Sequence, residues 1–76
     1  MELKLTNHFQ IRMLERGISI DHVKKAFREP DSKEDAFEGK IKVTKEIGGK
    51  TIVVIYFKES FKDRKNEYVV TTAYYL

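Results

Sequence analysis

The sequence predicts an α+β fold: two N-terminal helices packed on one face of a three- or four-stranded antiparallel sheet. Three observations carry that expectation. Apolar residues recur at helical spacing up to Pro30 and at every second position after it. Gly17 and Pro30 fall where two helices must end, and Gly48 with Gly49 falls where a hairpin must turn. A chain of 76 residues has room for one domain and one core.

Each element has its own signature. Thr6 or Asn7 can cap a first helix that runs to about Arg16, with Gly17 ending it in the left-handed conformation. Ser19 is a suitable cap for a second helix, Asp21 sits in its first turn, and Ile18 with Val23 has the spacing of a hydrophobic staple. Ile20, Val23, Ala26 and Phe27 form its apolar stripe. Pro30 stops it near Arg28 or Glu29. A short strand over 33–37 is followed by a half-buried one in which Ile41, Val43 and Ile47 alternate with polar neighbours. Residues 51–57 are apolar on both faces, as a central strand requires. Residues 59–66 read as a polar loop, and residues 68–75, rich in Val, Thr and Tyr, as the last strand.

Composition narrows the function classes. The chain is 36% charged and 41% hydrophobic, which is globular rather than disordered. It has no Cys, so it has no disulfide, no thiolate metal site and no Cys nucleophile. The longest apolar run, residues 52–57, is far short of the roughly 20 residues of a membrane span. The opening residues lack the apolar core and cleavage site of a secretory signal, so a cytoplasmic location is expected. Net charge is +3, unevenly placed: residues 31–39 hold 4 acidic and 1 basic side chains, and residues 40–65 hold 8 basic and 3 acidic. A solubilising Lys-rich surface accounts for such a balance, and a basic surface also attracts polyanions.

The first helix carries the most specific constellation. His8, Arg12, Glu15 and Arg16 lie at i, i+4, i+7 and i+8, within one arc of roughly 100°. Two arginines one turn apart repel unless an anion lies near them. A His between proton states near neutral pH, beside two guanidinium groups, suits phosphate chemistry: the imidazole moves a proton and the guanidiniums hold phosphate oxygens in pairs. A solvated helix face in which Glu15 neutralises Arg12 is the plainer account. The last strand adds Thr71 and Tyr74 as groups that can orient a phosphate, with Thr72 beside them. Lys40, Lys42 and Tyr56 are candidates for a basic, partly aromatic substrate-binding surface. His22, in the first turn of the second helix, reads as structural or exposed. Two His without ligand spacing predict no metal site, and no cofactor is expected.

The run His8-x-x-x-Arg12–Met13-x-Glu15–Arg16–Gly17–Ile18–Ser19, followed by a helix and Pro30, resembles the opening of the domain of unknown function 4258 family of bacteria and archaea. That family ends in a Val–Thr–x–Tyr-like segment, matched here by residues 69–74 with Thr71 and Thr72 as alternative threonines. The resemblance covers nearly the whole chain. In layout the family is similar to RelE/ParE-like toxins and to the wider barnase–EndoU–colicin–RelE set. The C-terminal helix of some of those relatives has no counterpart here. The resemblance places His8, Arg12 and Arg16 on the family's His and arginines. It implies a toxin-type, metal-independent endoribonuclease with RNA as substrate and a cognate antitoxin protein as partner.

Two other classes stand beside it. Residues 14–23 also read as helix, tight turn, helix, the layout of a small DNA-binding module, with Lys24, Lys25 and Arg28 as its basic groups. A non-catalytic interaction domain would dock through the acidic 31–38 segment or through a sheet edge.

Overall fold

A computed structural model describes the backbone of residues 2–5, 7–61 and 64–76, and the side chains of residues 5, 7–36, 38–58 and 68–76. The elements run β1 (Glu2–Lys4), α1 (Asn7–Arg16), α2 (Ile20–Arg28), β2 (Ser32–Asp35), a 3-10 turn (Phe37–Gly39), β3 (Ile41–Ile47), β4 (Lys50–Phe61) and β5 (Arg64–Tyr75). The fold is α+β, with two helices and an antiparallel sheet of β2 to β5. β1 adds a fifth strand, giving the order β1-β5-β4-β3-β2 with β1 parallel to β5. That strand was not anticipated, because three residues are too few to show a period.

The two helices end as the sequence dictates. Gly17 has φ 67°, and the bonds Gly17 N–H to Leu14 O (3.3 Å) and Ile18 N–H to Met13 O (2.9 Å) form a Schellman motif. Its hydrophobic partners Met13 and Ile18 are both in the core. The residue that precedes α1, Thr6, lies outside the described residues. Ser19 occupies the cap position of α2 with extended dihedrals, but its side chain makes no capping bond. Ile18 and Val23 are both buried, as the staple spacing requires, whereas Ile20 is exposed.

Gly48 and Gly49 turn the β3–β4 hairpin with φ 56° and 82°, the two positive values of a type I′ turn. β4 is central, paired antiparallel with β3 and β5. The expected polar loop over 59–66 is largely strand. β4 continues to Phe61, β5 starts at Arg64, and the pairs Lys58 with Tyr68, Glu59 with Glu67 and Phe61 with Arg64 extend the ladder. Backbone pairing needs no apolar side chains, so polarity alone mislabels such a segment. The early strand also differs slightly, since it ends at Asp35 and leaves Phe37 in the 3-10 turn.

The core joins Phe9 and Met13 of α1, Ile18, Val23 and Ala26 of α2, Val43, Ile52, Val54, Tyr56, Val70 and Ala73. α2 packs on β3 and β4, and α1 on β5. Because strand side chains alternate, residues 42, 44, 53, 55, 57, 69, 72 and 74 point to the other sheet face, which neither helix covers. Ile55, Phe57, Val69 and Tyr74 are half-buried there.

Candidate functional site

A cleft of about 400 Å³ opens between α1 and β5. Its α1 wall consists of His8, Phe9, Arg12, Met13 and Arg16, closed off by Ile18. Its sheet wall consists of Phe57 and residues 69–73; consecutive strand residues present both faces, so the cleft wraps β5 and takes in Phe57, Val69 and Thr72 from the face away from α1. The lining is mostly apolar, and the charged groups stand at its edge.

The helix geometry follows from the spacing. Phe9 and Met13 anchor α1 in the core, and His8, Arg12 and Arg16 follow one another along the flank of that buried stripe. All three are exposed. The Schellman motif ends the helix directly after Arg16, so this guanidinium sits at the negative end of the helix dipole. Among the described residues neither Arg12 nor Arg16 has an ion-pair partner. Glu15 does not line the cleft and does not neutralise Arg12. The expected Glu15–Arg12 pairing is therefore not formed, while the exposure of all four side chains is that of a solvated helix face.

The sheet wall is shaped by a β-bulge. Ile55 pairs with Thr72 and Tyr56 with Val70, leaving Thr71 as the extra residue. Its hydroxyl donates to Ile55 O at 3.0 Å, a bond from the extra residue to the facing strand. Thr71 is beside the predicted His and arginines, but its proton is already occupied. Thr72 also lines the cleft and is half-buried.

The other predicted residues lie elsewhere. Tyr74 pairs with Val53 on the uncovered sheet face and does not line the cleft. Tyr56 falls on the helix-covered face and is 3% exposed. Its ring packs against Phe27 (5.0 Å between centroids) and Tyr68 (5.5 Å), and burial, then the neighbouring Tyr68, pushes its phenol pKa above the ordinary value. A ring so enclosed cannot meet a substrate. Lys40 pairs with Glu38 at 3.7 Å and Lys42 with Glu34 at 3.5 Å. These lysines balance the acidic segment beside them, and neither borders the cleft. His22 bonds Tyr75 through Nδ1 and is structural. Among the described residues, no group of three or more His, Asp or Glu side chains is placed to hold a metal ion. No described helix is long and apolar enough to cross a membrane.

Phe57 and Val69 are cleft residues that the sequence reading did not single out. Their signal was an apolar pair on a strand face with nothing to cover it, which the pattern of β4 alone made look like full burial.

No curated protein and no solved structure matches the chain at a significant level. The sequence model of the family described as Domain of unknown function (DUF4258) matches residues 5–75. That span includes α1, the bulge and every wall of the cleft, and the protein belongs to this family.

Proposed function

We propose that the α1/β5 cleft is a phosphodiester site, and that the protein is a toxin-type, metal-independent endoribonuclease acting in the cytoplasm, with an antitoxin protein as its partner. The observation that supports this reading is the convergence of His8 with two arginines that lack an ion-pair partner among the described residues, on a cleft of mostly apolar lining. His8 takes the proton of an RNA 2′-hydroxyl, and the oxygen attacks the adjacent phosphorus. Arg12 and Arg16 hold the non-bridging oxygens and stabilise the charge that builds on them. The bond from phosphorus to the 5′-oxygen breaks, that oxygen takes up a proton from water, and the products are a 2′,3′-cyclic phosphate and a 5′-hydroxyl. Thr71 contributes as the wall that sets the distance from β5 to α1.

The experiment is RNA cleavage in EDTA, with wild type compared against His8→Ala and Arg12→Ala and folding checked by circular dichroism. Cleavage that survives chelation and is lost in both folded variants supports the proposal. Undiminished cleavage in both variants sinks the assignment of roles.

A non-catalytic interaction domain is the second reading. It is favoured by Leu14 and Ile11, which are 80% and 56% exposed on α1 away from the cleft. The acidic segment is a poor docking surface, since Asp31, Glu34 and Glu38 are each paired with a lysine of the chain itself.

A further inference from the structure

Arg12 and Arg16 stand four residues apart on α1, a rise of about 6 Å, and His8 precedes Arg12 by the same step. This repeat is close to the separation of successive phosphates along a polynucleotide strand. The helix flank is therefore a rail matched to two consecutive phosphates rather than one. Beside the rail the lining changes character: Phe57 and Val69, half-buried on the uncovered sheet face, border the same cleft. A free phosphate would engage the arginines and leave those apolar groups facing water. A duplex keeps its bases stacked inside and offers no base face to an aromatic ring, whereas a single strand offers both phosphates and bases.

We propose that the cleft takes a single RNA strand laid along α1, with Arg12 and Arg16 each holding one of two successive phosphates and Phe57 receiving the face of a base. This rests on the reading of the cleft as the RNA site. It adds the form of the RNA, its direction of lay and a specificity-determining aromatic ring.

The test uses a fluorescein-labelled, fully 2′-O-methylated hexauridylate, which has no free 2′-hydroxyl, so binding is read apart from cleavage. Affinity is measured against salt concentration. With two phosphates held, log Kd rises with log salt at a slope of about 1.4, and each of Arg12→Gln and Arg16→Gln lowers the slope by about 0.7. Phe57→Leu keeps apolar bulk but removes the ring, and binding weakens about tenfold, with Phe57→Tyr restoring it. A blunt duplex carrying the same strand binds at least tenfold more weakly. Absence of binding at low salt, slopes unchanged in the arginine variants, equal affinity for the duplex, or wild-type binding by Phe57→Leu would each overturn the proposal. Binding with the expected slopes but no cleavage of any natural RNA sinks the nuclease and leaves the strand site standing. Cleavage that needs His8, with slopes unmoved in the arginine variants, does the reverse.

Discussion

Tyr75 Oη lies 2.9 Å from Nδ1 of His22, so the last residue of the sheet is tied to the first turn of α2. The same oxygen accepts the backbone N–H of Ser19 at 3.3 Å. The Ser19 side chain does no capping, and Tyr75 supports this helix end from across the fold. Tyr75→Phe removes both bonds while keeping the ring beneath Lys50, whose Nζ is 5.4 Å from its centroid. Thermal unfolding should show a loss of about 1 kcal/mol, a drop of roughly 4–8 °C in Tm for a domain of this size. Imidazole nitrogen chemical shifts of His22 should differ between wild type and Tyr75→Phe, since Nδ1 loses its hydrogen-bond partner.

Gly17 is the conformational hinge between the cationic helix and α2. A Cβ at this position would meet nothing within 4 Å, so the cost of substitution is that of the backbone alone. With φ at 67°, Gly17→Ala should lose about 1–2 kcal/mol and Gly17→Asn distinctly less, measured by urea unfolding. Equal loss in both would show that some contact, not the left-handed backbone, sets the requirement.

The cleft cations are free of structural duty. His8→Ala, Arg12→Gln and Arg16→Gln should each unfold within about 0.5 kcal/mol of wild type, since all three side chains are exposed and the arginines have no ion-pair partner among the described residues. Each single arginine variant should already relieve the repulsion between the two like charges, so the double variant should gain no further stability over the singles. A stability loss above 2 kcal/mol in any of them would mark the stripe as a packing element.

Asp31 supplies a pH dependence of known sign. Its carboxylate accepts the Glu46 N–H at 2.8 Å and the Lys45 ammonium at 3.2 Å, and these bonds, the backbone one first, hold its pKa below the ordinary 3.8. The unfolded chain therefore takes up this proton more readily than the folded one. The stabilisation is fully present above pH 3.8 and is lost as pH falls through the lower folded value. Asp31→Asn should be less stable than wild type by a constant amount near neutrality, and the gap should close on acidification below that range. Unfolding curves at a series of pH values measure this directly.

Local rules were enough for the elements they govern. The end of α1 at Gly17, the stop at Pro30 and the turn at Gly48 and Gly49 are each set by residues within a few positions, and all three appear where the sequence puts them. The stripe of His8, Arg12 and Arg16 was legible for the same reason, because helix periodicity is fixed once the helix is. Its partner wall was not. Which face of β5 meets α1 depends on the bulge at Thr71, a single residue of register between Ile55 and Tyr56. Tyr56 was misplaced because its face is decided by long-range alternation, and Lys40 and Lys42 because their acidic partners lie on β2 and in the 3-10 turn.

The two walls of the cleft come from opposite ends of the chain, residues 8–18 on one side and residues 57 and 69–73 on the other. During synthesis the helix with its arginines leaves the ribosome long before its counterpart exists. The cationic helix therefore emerges without its opposite wall, and the site is complete only once β5 has paired with β4.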